Sequence, residues 1–123
     1  PIPPETKMGH IHLHVRDIPE ALDFYHGALG FDIMGHAKEF QMAFVSAGGY
    51  HHHIGLNTWR GVGAPPPPDD AAGLRHFTVD LPNQSALEEV VERVGKAGIS
   101  CNQTLDGLLL FDPSQYGVVL RVK

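Results

Sequence analysis

Five of the nine histidines occupy the polar positions of two short segments in which polar and apolar residues alternate. They are His10, His12, His14, His51 and His53. A period of two is typical of a β-strand with one buried face, so the histidines of such a segment point to the opposite face. A neutral imidazole is the commonest metal ligand among side chains and exchanges protons near neutral pH. The pattern therefore indicates metal binding or acid–base chemistry on one face of a sheet.

A sixth histidine, His76, occupies a matching position later in the chain. The segment 76–79 alternates in the same way as the segment 10–13. For any one histidine, a polar strand face in contact with solvent is the simpler explanation. Matching strands of a repeated unit, however, allow several imidazoles to converge by pseudo-twofold symmetry, as a metal site requires. We therefore interpret these histidines as a candidate metal site, whereas His36 is predicted to lie on a loop.

Each half of the chain has the pattern of a strand, an amphipathic helix and three further strands. In the first half a capping-box-like start, Asp17 followed by Glu20, opens a helix that ends before Gly30. In the second half Ser85 precedes Glu88 at the same spacing, and the helical stripe ends near Gly98. The later strands are predicted at 31–36, 41–47 and 51–57 in the first half and at 99–104, 107–112 and 116–122 in the second.

These elements predict an α+β fold of two βαβββ modules whose curled mixed sheets form a cleft. We expect an N-terminal linker at 1–7 and a single domain at 8–122. The domain divides into module one at about 8–57, a Pro-rich connector at 58–73 and module two at about 74–122. Four consecutive prolines in the connector favour an extended conformation outside any helix or strand. Such a spacer allows the modules to pair within one chain or with a second chain.

Composition narrows the classes of partner and compartment. The formal net charge is −5 and no cluster of Lys or Arg occurs, so a nucleic-acid partner is not expected. The sequence lacks the long apolar run of a membrane span. Cys101 is the only cysteine, which excludes an intrachain disulfide and suits a buried, unreactive thiol in a reducing compartment. We therefore expect a cytoplasmic protein that binds a small molecule.

Three stretches of the chain carry a resemblance to a known family. GHIHLHVRDIPEALDFYHGALGF resembles the opening strand, helix and turn of vicinal-oxygen-chelate modules, and FDPSQYGVVLRV resembles their closing strand. FVSAGGYHHHIGLNTW is similar, more specifically, to the carboxy-terminal half of tandem glyoxalase-type proteins grouped with catechol 2,3-dioxygenases. The likeness extends from Met8 to Val122. It implies the βαβββ fold and a divalent metal that holds vicinal oxygens of a substrate.

The resemblance also implies which residues are metal ligands. The family uses first-strand and fourth-strand side chains, which correspond to His10, His76 and His53. The fourth position falls at Val119, which follows His53 at the same offset as His76 follows His10. Relatives commonly have Glu at that position, and valine has no lone pair to donate, which weakens the case for an iron dioxygenase. One consequence is an all-imidazole site that prefers an anionic substrate, supported by Arg121. The other is a degenerate site, in a half that relied on a partner module with the complete ligand set. For Arg121 the alternative interpretation is an exposed charge at a strand end.

The leading hypothesis is therefore a metal-dependent enzyme for a small oxygenated substrate, anionic or with vicinal oxygens. The implied cofactor is a divalent ion of iron, manganese, zinc, nickel or cobalt. The acid–base candidates are His12, His51 and His52, and the candidate substrate-stacking residues are Tyr50 and Trp59. The alternatives are a metal-free binding module and a non-catalytic half of a larger tandem protein. Because a closed cleft needs two facing sheets, we expect a homodimer or pairing with another module.

Overall fold

A computed structural model describes residues 11–48, 53–65 and 74–122 of the chain. It contains two four-stranded mixed sheets with one helical segment in each half. Sheet one has the strand order β1-β4-β3-β2 and comprises β1 (Ile11–His14), β2 (Asp32–Ala37), β3 (Met42–Ser46) and β4 (Ile54–Asn57). Sheet two has the order β5-β8-β7-β6 and comprises β5 (His76–Leu81), β6 (Asn102–Gln103), β7 (Leu108–Phe111) and β8 (Gly117–Val122). The predicted pair of βαβββ modules is confirmed.

The first helix starts as predicted but does not continue as a regular helix. Asp17 caps α1 (Ile18–Leu22) by accepting a hydrogen bond from the Glu20 backbone N–H at 2.8 Å. The chain then forms a π-helical segment, Asp23–Ala28, before Gly30. Phe24, Tyr25 and Ala28 of this segment are buried.

The predicted cap of the second helix is wrong by two residues. Helix α2 (Gln84–Lys96) begins at Gln84, and the side chain of Asn83 accepts a hydrogen bond from the Ala86 N–H at 2.8 Å. Asn83 has the extended backbone of an N-cap, and asparagine is among the best capping residues. Ser85 is therefore inside the first turn. The prediction of a loop at His36 is also wrong, since that residue lies within β2.

One face of each sheet packs on the helical segments and forms the core. In sheet one this face carries Leu13 and Leu56, and in sheet two it carries Val118 and Leu120, all almost fully buried. The opposite face, which we call the open face, carries the polar residues of the same strands. Because β-strand side chains alternate, His12, His14 and His76 are directed away from the core.

The helical sides of the two modules also pack against each other. The Arg93 guanidinium of α2 donates hydrogen bonds to the carbonyl oxygens of Ala28 and Leu29, at 3.3 and 3.0 Å. Tyr25 stacks on Phe77 and donates a hydrogen bond to Asp112 at 2.6 Å, both across the module boundary. These contacts join the two modules, and the hydrogen bond between Tyr25 and Asp112 is buried.

The connector is described only in part. Pro65 lies outside any helix or strand, as predicted, whereas Pro66 to Pro68 lie outside the described residues. The boundaries assigned to the linker at 1–7 and to the connector stay predictions. None of the described helices is both long enough and apolar enough to span a membrane.

Candidate functional site

The first and last strands of module one place its histidines on the open face of sheet one. β1 and β4 are parallel, with Leu13 opposite Leu56 on the core side. On the other side, His12 lies opposite Gly55 and His14 lies opposite Asn57. Both histidines are exposed, whereas Gly55 and Asn57 are buried beneath them. The sequence-based assignment of His12 and His14 to one face therefore agrees with the strand register.

The His12 ring lies over the backbone of β4 and beside an indole. A side chain at Gly55 would place its Cβ 2.8 Å from His12 Nδ1, so the absence of one makes room for the imidazole. The ring centroids of His12 and Trp59 are 5.4 Å apart, with an interplanar angle of 31°. Trp59 itself is 57% exposed. Together the two rings form an aromatic surface open to solvent.

Four of the sequence-predicted site residues lie outside the described residues. They are His10, Tyr50, His51 and His52. Within the described ranges, no group of three or more His, Cys, Asp or Glu side chains is close enough to hold a metal ion. The proposed ligand set of His10, His53 and His76 therefore stays a prediction.

His53 immediately precedes β4, and its backbone forms hydrogen bonds with Ile11 of β1 and Val45 of β3. Its carbonyl accepts from Ile11 N–H at 2.9 Å, and its own N–H donates to the Val45 carbonyl at 2.9 Å. The ring nitrogen Nδ1 accepts from the Ala47 backbone N–H at 3.1 Å and lies 3.2 Å from Ser46 Oγ. In this arrangement a neutral imidazole carries its proton on Nε2. Binding of a metal through Nε2 would require the Nδ1–H tautomer, and the ring would then have to turn away from the Ala47 N–H, which can only donate.

His76 lies at the start of β5 on the open face of sheet two. Its partner on β8 is Gly117, whose added Cβ would lie 2.9 Å from the His76 Cβ. Val119 is opposite Thr78 and is 4% exposed. The valine is therefore an apolar, covered position on the same face, two residues along β8 from the partner of His76. Neither Gly117 nor Val119 supplies a carboxylate.

The sequence separation between equivalent residues of β1 and β5 differs from the separation between equivalent residues of β4 and β8. Ile54 of β4 is opposite Ile11, whereas Val118 of β8 is opposite Phe77. The step from Ile54 to Val118 is two residues shorter than the step from Ile11 to Phe77. By strand register, His53 therefore matches Gly117 and not Val119. A shift of two residues keeps every side chain on its face, so the hydrophobic pattern alone did not reveal it.

Arg121 is on the same face as Val119 and is held by an acidic neighbour. Its Nε lies 2.5 Å from Asp80 Oδ1, and the residues are direct partners on β8 and β5. The hydrogen bond and the charge of Asp80 raise the pKa of the guanidinium. Sequence reasoning did not anticipate Asp80, because the pair depends on the parallel register of two strands 41 residues apart.

His14, one of the histidines of the predicted polar strand face, forms a hydrogen-bonded pair with Asn57, a residue that the sequence did not single out. His14 Nδ1 lies 2.7 Å from Asn57 Oδ1, and the Trp59 backbone N–H donates to the same oxygen at 3.0 Å. Trp59 Nε1 in turn donates to the Phe40 carbonyl at 2.8 Å. The available signal was the alternation that places Asn57 on the open face two residues after Gly55.

Cys101 has the surroundings of a structural thiol. Burial raises its pKa, which disfavours the reactive thiolate. It has no assigned part in the candidate site.

The two-sheet chain matches a known protein family over most of its length. The chain belongs to the glyoxalase/bleomycin resistance protein/dioxygenase superfamily, whose family model matches residues 7–116. Among curated proteins it is similar to catechol-2,3-dioxygenase of Bacillus subtilis (strain 168), with 52% identity over 112 residues. That match covers 91% of this chain and 39% of the relative, so the chain spans well under half of the relative's length.

Solved structures with the same fold extend over almost all of the chain. A glyoxalase/dioxygenase from Nostoc punctiforme has a TM-score of 0.72 at 18% identity and matches over 99% of this chain and 95% of its own. Lactoylglutathione lyase from Agrobacterium tumefaciens has a TM-score of 0.70 at 17% identity, over 98% and 96% of the two chains. At these identities the likeness shows the vicinal-oxygen-chelate fold alone.

Proposed function

We propose that this chain provides a metal-dependent enzyme centre of the glyoxalase/dioxygenase type that acts on a small oxygenated substrate, anionic or with vicinal oxygens. The observation that supports it most is the placement of imidazoles on the open faces of both sheets, at His12 and His14 on one and His76 on the other. The 52% identity to a protein named catechol-2,3-dioxygenase supports the same class of substrate.

His10, His53 and His76 are the proposed ligands. Because His53 and His76 lie on the open faces of different sheets, the proposed site would form where the open face of one chain meets that of a second chain. The chain offers imidazole nitrogens at these positions but an apolar side chain at Val119 and none at Gly117. Such a ligand set is neutral, so an anionic substrate would balance the charge of a divalent ion. A bound ion would supply Lewis-acid polarisation of a substrate oxygen.

The remaining candidate residues bind and orient the substrate or move protons. His12, His51 and His52 are the proposed acid–base groups, since an imidazole exchanges protons near neutral pH. Trp59 offers an exposed ring for stacking, and Tyr50 is proposed as the second stacking residue. Arg121 is proposed to bind an anionic group, for which it must exchange its partner Asp80.

The test is metal analysis of protein purified without an affinity tag. The proposal expects stoichiometric divalent metal in the wild type, and loss of that metal in both His10→Ala and His76→Ala. His36→Ala is the matched control, because His36 pairs with Ala43, a core-side position of sheet one, and is itself exposed. Wild-type protein without metal, or equal retention in all three variants, contradicts the proposal.

Val119→Glu is the complementary test. A carboxylate at this covered position would be poorly solvated unless it reaches a cation. If the positions converge, Val119→Glu should bind metal more tightly than the wild type, and added metal should raise its melting temperature. A variant that is destabilised and gains no metal would show that Val119 does not face the ligands.

A second candidate function is a metal-free small-molecule binding module, of the kind that one half of a tandem protein's cleft would provide. Two observations favour it: the exposed aromatic ring of Trp59, and the 39% coverage of the curated relative. Saturable binding of a small aromatic ligand by protein that holds no metal would place this function first.

A further inference from the structure

We propose that His14, Asn57 and Trp59 form a recognition subsite for a planar hydroxylated ring on the open face of sheet one. This proposal rests on the proposed function in one respect only, namely that the open face of sheet one binds a substrate. His14 and Asn57 are not among the proposed ligands, which are His10, His53 and His76. The subsite is defined by hydrogen bonds among described residues, one exposed ring and one covered amide.

The first step concerns the amide of Asn57. The Trp59 backbone N–H can only donate, and it lies 3.0 Å from Asn57 Oδ1, so this atom is the acceptor and the amide orientation is fixed. The same oxygen lies 2.7 Å from His14 Nδ1. An oxygen that has no proton requires His14 Nδ1 to be the donor. Neutral His14 is therefore the Nδ1–H tautomer, and its Nε2 carries the lone pair.

The second step concerns why this arrangement is rigid. Asn57 is fully buried, so water does not compete for its oxygen. Its Nδ2 has no hydrogen-bond partner in the described part of the chain. An unsatisfied buried donor is unfavourable for stability, and such an exception in a protein calls for an explanation. Asn57 Oδ1 positions both the His14 ring and the Trp59 backbone. This role explains an asparagine at position 57 although its Nδ2 is unpaired among the described residues.

The third step concerns the ring beside His14. The Trp59 indole is held at its backbone N–H by Asn57 and at its Nε1 by the Phe40 carbonyl, at 2.8 Å. It remains 57% exposed, and its centroid lies 6.5 Å from that of His14 and 5.4 Å from that of His12. A held, exposed aromatic face favours stacking with another planar ring. A hydroxyl on that ring would find an acceptor in His14 Nε2.

The subsite is distant from the proposed metal ligands. Asn57 is four residues after His53 along the same segment, which corresponds to roughly 13 Å along the sheet. His14 would therefore contact a part of the substrate remote from a metal-bound oxygen. This geometry assigns it to recognition and not to the reacting atoms.

The first experiment measures the tautomer of His14. Long-range proton–nitrogen NMR correlations distinguish a protonated Nδ1 from a protonated Nε2. We expect the Nδ1–H form in the wild type, and release toward the other tautomer in Asn57→Leu, which has a similar volume and no acceptor. An Nε2–H tautomer in the wild type overturns the inference even if the variant does not fold. Asn57→Asp, which keeps an acceptor at this position, should preserve the Nδ1–H form.

The second experiment measures binding of phenol, anisole and cyclohexanol in the presence of a chelator. Trp59 is the only tryptophan, so its single indole N–H resonance reports the subsite directly. Phenol has both a planar ring and a donor, whereas anisole lacks the donor and cyclohexanol lacks the ring. We expect phenol to bind about five-fold more tightly than either, which corresponds to one hydrogen bond or one stacking contact.

His14→Phe is the deciding variant, with His36→Phe as its control. The first keeps a ring and removes Nε2, so it should abolish the preference for phenol over anisole. The second should retain that preference. Equal affinities of the wild type for the three probes, or a preference that survives in His14→Phe, overturn the proposal. Because the chelator removes metal, failure of the metal hypothesis leaves this result unchanged, and failure here leaves metal analysis unchanged.

Discussion

Replacement of Tyr25 by phenylalanine should destabilise the protein through one buried hydrogen bond between the modules. Tyr25 is fully buried, and its hydroxyl donates to Asp112 Oδ2 at 2.6 Å. The other carboxylate oxygen accepts from the backbone N–H groups of Ser114 and Tyr116, at 2.8 and 2.9 Å. Loss of the hydroxyl removes the donor to Oδ2. Hydrogen bonds to charged groups contribute about 1.5–3 kcal/mol, so we expect a loss of about 2 kcal/mol at neutral pH.

The loss should depend on pH in a defined direction. Burial raises the pKa of Asp112 above its ordinary value, and the Tyr25 hydroxyl opposes that rise. Because the pKa of Asp112 is raised in the folded state, Asp112 contributes most to the free energy of unfolding at a pH below its unfolded-state pKa. That contribution is lost as the pH rises through its folded-state pKa. Tyr25→Phe raises the pKa of Asp112 further, because the ionised form loses a donor. The destabilisation should therefore be larger at neutral pH and smaller toward mildly acidic pH.

Urea unfolding at neutral and mildly acidic pH is the measurement. The midpoint should fall in Tyr25→Phe without a change in the slope, since the exposed area on unfolding is nearly the same. Tyr116→Phe is the control, because Tyr116 contacts Asp112 through its backbone N–H and not through its hydroxyl. A loss below about 0.5 kcal/mol, or one that does not vary with pH, would refute the assigned role of a charged hydrogen bond.

Three other substitutions or measurements test the described contacts. Gly55→Ala should displace the His12 ring, because the new Cβ would lie 2.8 Å from His12 Nδ1, and this displacement should alter the fluorescence of Trp59. Gly35→Ala is the control and should leave the fluorescence unchanged, because its Cβ would lie 3.7 Å from Phe44. Asn83→Ala should lower the free energy of unfolding by about 1 kcal/mol, and Ser85→Ala should have little effect; equal effects would contradict the assigned cap. Sedimentation at micromolar concentration should detect a dimer, since the helical sides of the modules pack together and leave the open faces for a partner, and a strictly monomeric protein would count against this.

The sequence was sufficient for the fold because independent local signals agree. Alternating polar and apolar residues marked the strands, Asp17 marked the start of α1, and the glycines at 30 and 98 followed the helical segments. Each signal depends on near neighbours, whose spacing the sequence states directly. The same alternation of polar and apolar residues predicted that His12, His14 and His76 lie on the open faces.

The missing parts of the site depend on pairs that are remote in sequence. Asp80 meets Arg121, and Asn57 meets His14, only because β5 and β1 are parallel partners of the last strands in a particular register. The register differs by two residues between the modules, and no hydrophobic pattern records such a shift. Likewise, Tyr25 of the π-helical segment contacts module two at Phe77 and Asp112, which are remote from it in sequence.

The two open faces differ in the chemistry that they offer. Sheet one presents rings and neutral polar atoms at His12, His14 and Trp59, whereas sheet two presents an ion pair between Arg121 and Asp80 beside the covered Val119. Arg121 and Asp80 are both partly exposed, and ion pairs in such surroundings contribute little to stability, so the proposed exchange of Asp80 for an anionic group would cost the sheet little. Sheet one would recognise a ring and its hydroxyl, and sheet two would recognise a charge. The two faces would contact opposite sides of one substrate only when they are brought together. The proposed dimer and the proposed substrate class are therefore linked, and dilution to monomer should weaken binding of an aromatic anion more than binding of phenol.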